Sequence, residues 1–276
     1  MYKLLTIYCL YGIFIFFNSS CAVNPISGKE QLMFYSVEKD FKIGKAVAPE
    51  IEKLLGNRIN SPKLQRYIDR VGQKIAGVCH HPDWQYHYTA VKHKSVNALA
   101  LPGGFIFITR GMLENITNEA ELAAVLAHET THAVARHAMA QLSKQTVMQL
   151  ATLATLVSKQ APAELQQLAL ISNQFLTLQY SRDDEQQADT GGLRYMVEAG
   201  YDPNSMIELM QMLYKEHPGG KQYEFYSTHP HPTSRLHYIK AMIKRKYKNK
   251  HNLKIGKKEY QDNVLNILKK KVKTSQ

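Results

Sequence analysis

The chain has 276 residues, 44% of them apolar and 21% charged. That length and balance allow a sizeable core and exclude a disordered chain, a collagen-like repeat and a small disulfide-stapled scaffold. The net charge is +12, but 13 Lys and Arg fall between Lys240 and Gln276 against two acids, which leaves 22 bases against 21 acids upstream.

Met1 to Lys3 is a short basic start, and Leu4 to Phe17 is apolar without a charge. A stretch that short fits a secretory signal peptide over 1–20 better than a membrane span. Ser19, Ser20 and Cys21 follow, so the expectation is a lipoprotein signal with Cys21 acylated. Asn18 stands where that pattern prefers Leu, and an ordinary cleaved leader is the alternative. With Cys9 in the leader and Cys21 lipidated, Cys79 is alone, so no intramolecular disulfide is expected and Cys79 should be buried.

Residues 21–35 read as an irregular arm with turn signals at Asn24-Pro25 and Ser27-Gly28. Ser36 to Leu55 has helical spacing. Ser61-Pro62 opens a second helix, with Leu64, Ile68, Val71 and Ile75 as its core stripe. Trp84 to Lys92, Ser95 to Leu101 and Phe105 to Thr109 read as strands, the last two forming a hairpin about Pro102-Gly103-Gly104. Asn118 and Glu121 make a capping box for a helix to about Met139. Helices are expected over 141–159, 162–180 and Asp183 to Ala199, the last stopped by Gly200. Asp202-Pro203 starts another, Tyr214 to Pro232 is loop-like, and a final helix runs from Thr233 into the basic end. No linker divides 36–245, which reads as one domain. The bases of 246–276 read as a solvated, partly helical tail, with anionic lipid or acidic partners as the alternative. Because they crowd one end rather than a recognition face, no nucleic-acid partner is expected.

The chemistry lies in His128-Glu129-Thr130-Thr131-His132. At i and i+4 on a helix, two imidazoles share a face and can hold one metal ion, and Glu129 between them can act as general base on water. The flanking residues, Leu122 to Ala127 and Ala133 to Ala135, are apolar all round, so this helix is buried. Burying two His and a Glu is costly unless they are bonded or hold metal. Ala135 and Ala138 occupy the Gly and His places of a metzincin and exclude that class. His137 is rotated off the metal face and reads as surface or as support for a ligand. Glu185 and Asp189, again i and i+4, can supply the third ligand and an acceptor for a ligand imidazole N–H. The alternative is a solvated helix start in which Asp183, Asp184 and Glu185 complement the dipole.

Together these motifs resemble the HtpX and CAAX-prenyl-protease superfamily of zinc endopeptidases, and its soluble bacterial lipoprotein branch of BepA- and LoiP-like proteins. Asn24 to Lys29, Asn97 to Gly104, His128 to His132, Ser181 to Asp189 and Thr228 to Arg235 carry the likeness, which spans about residues 22 to 245. The resemblance implies a predominantly α, α+β zincin-like domain with a small sheet whose edge strand lines the cleft. It implies one Zn²⁺ on His128, His132 and Glu185, and a substrate strand pairing along Asn97, Ala98, Leu99 and Ala100. It implies Arg235 as an oxyanion group, and His229 near the zinc as an aid to the oxyanion or an occluder of the fourth metal position. It also implies misfolded or unassembled envelope polypeptides as substrates, and assembly machinery or chaperones as partners. The expected location is the periplasm, on the inner face of the outer membrane through Cys21. A zinc-binding chaperone or adaptor without turnover, and a latent protease closed by 140–180 or by His229, are the rival readings.

Overall fold

The computed structural model describes residues 21–153, 164–214, 225–229 and 233–273. The expected leader over 1–20 lies outside the described residues. The arm is a small antiparallel pair, β1 (Cys21–Val23) and β2 (Glu30–Leu32), joined by a turn at Asn24. Asn24 Oδ1 accepts the N–H groups of Ile26 and Ser27, an Asx turn that lets the chain reverse.

Two capped helices follow, α1 (Val37–Leu54) and α2 (Pro62–Ala76). Ser36 and Ser61 each accept a backbone N–H three residues on, and Pro62 takes the first helical position. The predicted stripe is the core face, with Leu64, Ile68, Val71 and Ile75 fully buried.

The sheet has β3 (His87–Val91), β4 (Ala98–Leu101) and β5 (Phe105–Thr109) in the order β3-β5-β4. β4 and β5 form the expected hairpin, and β3 lies parallel to β5. The first two strands are shorter than the alternation suggested, because Trp84 to Tyr86 and Ser95 to Asn97 are loop. β4 is left at the edge, against the metal-site helix.

After α3 (Arg110–Asn115), Asn118 caps α4 (Glu119–Val134) by accepting the Glu121 N–H. The reciprocal half of the expected box is displaced by one residue, since Glu121 accepts from Thr117. The helix also ends five residues earlier than expected. Arg136 is left-handed at φ 57°, a conformation unfavourable for a side chain with Cβ. Its guanidinium is gripped by Asp40 at 2.6 and 2.9 Å and by the Tyr35 carbonyl. A new helix, α5 (His137–Leu153), therefore starts in another direction and brings His137 back under α4.

The remaining helices are α6 (Glu164–Leu176), α7 (Arg182–Glu198), α8 (Asn204–Tyr214), α9 (Phe225–Thr228) and α10 (Thr233–Met242). Residues 177–180, expected as helix, are not, and 154–163 lie outside the described residues. The fold is thus α+β and predominantly α, as expected. No described helix is long and apolar enough to cross a membrane.

The basic end is not a free tail. α11 (Lys257–Tyr260) continues through Gln261–Leu265 into α12 (Asn266–Lys273), and Tyr260, Val264 and Leu268 join the main core. The lysines mask an apolar stripe at i, i+4 and i+8 that composition alone hides. The chain here also serves α4. The carbonyls of Gly256 and Ile255 accept the N–H groups of Glu119 and Ala120, and Lys254 Nζ lies 2.6 Å from Glu119 Oε1. Burial alone would raise the Glu119 carboxyl, but hydrogen bonds from Lys254, Tyr67 and Tyr201 hold it below its usual range.

Candidate metal centre

α4 carries His128, Glu129 and His132, and all 16 of its residues are buried. α7 packs along it and carries Glu185 and Asp189. The closeness depends on two glycines of α7. A Cβ at Gly192 would sit 3.0 Å from the His128 backbone nitrogen, and one at Gly191 would sit 2.5 Å from Thr131 Cγ2. A capping box between Ser181 and Asp184 fixes the start of α7, three residues before Glu185.

His128, His132, Glu185 and His229 each present one donor atom, and the four lie within 4.8 Å of one another. His132 Nε2 is 3.1 Å from His128 Nε2 and 3.4 Å from Glu185 Oε1. Glu185 Oε2 is 3.6 Å from His128 Nε2, and His229 Nδ1 is 2.7 Å from Glu185 Oε1. Three imidazoles and a carboxylate are a donor set suited to zinc. Both Glu129 oxygens and His229 Nε2 are buried without a hydrogen-bond partner among the described residues. Such groups are costly in a dry interior, and a cation with attendant water would satisfy them. The residues present therefore fit a divalent metal.

The surrounding charges set the electrostatics. Burial pushes the Glu129 carboxyl up to about 7, with Glu185 adding to the rise while His128 and Arg235 oppose it. Burial would raise Glu185 too, but His229, Arg235 and His132 outweigh it and hold the carboxyl well below its usual range. Asp189 is buried yet lowered, because Arg235 and His128 face it. Burial lowers His132 well below the ordinary imidazole value, which favours the neutral form a ligand needs.

The other expected residues fall as follows. Asp189 Oδ1 is 3.1 Å from His128 Nδ1 and holds that imidazole from behind. Arg235 does not project freely into a cleft. It donates to both Asp189 oxygens at 2.7 and 2.8 Å, and its Nη1 lies 2.5 Å from Glu185 Oε2, so it braces two carboxylates at once. Asn97, Ala98, Leu99 and Ala100 are buried. His137, fully buried, packs its Nδ1 2.9 Å from His132 Nδ1. Cys79 is buried, and Cys21 is exposed at the start of β1.

Three contributors escaped the sequence reading. Tyr238 donates to Asp189, and its place one helical turn after Arg235 was the available signal. Tyr180 stacks on His132 with ring centroids 3.9 Å apart, and its N–H is bonded to the Thr228 carbonyl. Phe225 stacks on His229 at 4.1 Å, and its N–H is bonded to the Val96 carbonyl just before β4. The α9 segment thereby covers the centre. His128, Glu129, His132, Glu185 and His229 are each at most 2% exposed.

Residues 62–243 match the family described as Peptidase family M48. The mitochondrial metalloendopeptidase OMA1 of Schizosaccharomyces pombe is 30% identical over 222 residues, covering 79% of this chain and 65% of that protein. The beta-barrel assembly-enhancing proteases of Yersinia pestis and Escherichia coli K12 are 29% and 26% identical over 187 residues. Each of those matches covers 64% of this chain and 38% of the relative. The chain thus spans less than two thirds of the length of these relatives.

Proposed function

The chain belongs to peptidase family M48, and from that premise we propose that it is a zinc-dependent endopeptidase of the cell envelope. His128, His132 and Glu185 hold the metal, and Glu129 is the general base. The observation that carries this reading is the buried convergence of three imidazoles and Glu185 beside an unpartnered Glu129 carboxylate. A zinc ion there supplies Lewis acidity, lowering the pKa of water to about 7 and polarising a carbonyl. The chain supplies the rest. Glu129 takes the proton of the attacking water and returns it to the leaving amine. Asp189 and Arg235 keep His128 and Glu185 in place. β4, at the edge of the sheet, offers its backbone to an extended polypeptide, which places the scissile bond near Glu129.

The test is zinc content together with casein hydrolysis, with and without a chelator. Purified chain is expected to carry about one zinc and to lose hydrolysis on chelation. Glu185→Ala is expected to lose the metal, since it removes a donor from the ligand set. Normal zinc in that variant would assign the third ligand elsewhere, and a metal-loaded but inactive wild type would favour a binding protein.

The finer reading is that the substrates are misfolded or unassembled envelope proteins and that Cys21 carries a lipid anchor in the outer membrane. Support comes from relatives named for β-barrel assembly, from the apolar leader ending at Cys21 and from the exposure of Cys21. A single acyl chain binds a membrane only marginally, so stable attachment needs several chains. Cys21→Ser should turn a detergent-requiring protein into a soluble one or an uncleaved precursor. Mass spectrometry showing an unmodified amino terminus downstream of Cys21 would remove the anchor.

A further inference from the structure

The arm that follows Cys21 is joined to the metal centre by an unbroken chain of polar contacts. Asn24 Nδ2 lies 2.7 Å from Gln187 Oε1. The same oxygen is 3.2 Å from His137 Nε2, and His137 Nδ1 is 2.9 Å from His132 Nδ1. His132 presents its other nitrogen, Nε2, to His128 and Glu185.

Proton placement along this chain is determined at both ends. A neutral imidazole that ligates through Nε2 must carry its hydrogen on Nδ1. His132 Nδ1–H then needs an acceptor, and His137 Nδ1 is the atom in reach. His137 can accept there only if its own hydrogen sits on Nε2, which in turn needs an acceptor. Gln187 Oε1 fills that role, provided its amide presents oxygen rather than nitrogen. Asn24 enforces this. Its Oδ1 is committed to the Ile26 and Ser27 N–H groups at 2.9 and 3.3 Å. Its amino group must therefore face Gln187, and also Gln31 Oε1 at 3.1 Å. Gln31 is itself oriented, because its Nε2 donates to the Ala135 carbonyl. Asn24 is 3% exposed and His137 0%, while Gln187 between them is half-buried.

We propose that Asn24 and Gln187 are positioning residues for the metal: through His137 they hold His132 in the tautomer that leaves Nε2 free to ligate. The proposal rests on His132 being a ligand. Partners behind a ligand imidazole are typically worth about 10–100-fold in metal affinity. The arm is thus a component of the metal site, although no arm residue reaches the metal.

The experiment measures zinc affinity of the full chain by chelator competition, beside the melting temperature of the metal-free protein. Asn24→Asp keeps the turn acceptor but replaces the donor facing Gln187 with an oxygen. Gln187→Met removes the acceptor for His137. Both are expected to weaken zinc binding about tenfold or more with little change in the metal-free melting temperature. Gln187→Glu restores an acceptor toward both Asn24 and His137 and should bind zinc within about twofold to threefold of wild type, well short of the loss expected for a missing partner. Wild-type affinity in both Asn24→Asp and Gln187→Met would overturn the proposal and leave the ligand assignment standing. Equal losses in Gln187→Met and Gln187→Glu would also overturn it, as would losses that track a lower metal-free melting temperature. A wild-type chain that binds no zinc would remove the ligand assignment and the proposal together.

Discussion

Glu129→Gln should lower kcat by about 10²–10⁴-fold, the usual worth of a positioned general base, while the chain keeps its zinc. Gln fills the same buried space between the sheet edge and His229, so packing is conserved. Its amide cannot accept the proton of the attacking water, so the chemical step loses its base. Zinc content and casein hydrolysis measured on one preparation separate the two effects. Turnover near the wild-type rate would take the base assignment away from Glu129, and lost zinc would show that Glu129 supports the ligands instead.

The second large effect concerns His229. Its Nδ1 sits 2.7 Å from Glu185 Oε1 and 3.4 Å from His128 Nε2, so it occupies the place where a fourth ligand would stand. Phe225 stacks on it and ties the segment to the chain just before β4. A ring held in that place would keep water and substrate from the fourth position of a bound metal. His229→Ala is expected to raise basal proteolysis, self-cleavage included, by about tenfold, the effect of releasing a closed state favoured by about 1.4 kcal/mol. Zinc should stay bound, because His128, His132 and Glu185 remain. If His229 instead stabilised the oxyanion, the same change would lower kcat and leave KM nearly unchanged. Steady-state kinetics beside wild type decides between the two.

The candidate metal ligands were legible because helical periodicity is local. The spacings His128–His132 and Glu185–Asp189 each place two groups on one face without knowledge of the fold. The capped helix start at Ser61-Pro62 was legible for the same reason, whereas the cap at Ser181 lies two residues before the start expected at Asp183. What escaped depends on long-range packing. The break after Val134 could not be foreseen, because a left-handed Arg136 is sustained by Asp40, 96 residues away. His137 was assigned by continuing α4 past that break, which left surface and support for a ligand both open. Arg235 was placed at the site by resemblance, but its engagement with Asp189 and Glu185 comes from how α10 meets α7. The basic end misled for a different reason. Its charge count dominates, whereas three apolar residues spaced by four decide where it packs.

The docking of that end on α4 bears on when the site can form. Glu119 and Lys254 are 135 positions apart, so the carbonyls that cap the start of the metal-binding helix leave the ribosome long after the helix itself. Contacts so distant in sequence close slowly, because the loop entropy is spent before the contact repays it. A nascent chain that already contains His128, Glu129 and His132 still lacks the partners of the Glu119 and Ala120 N–H groups. The start of α4 therefore gains its last backbone partners only after residues 254–256 have been made.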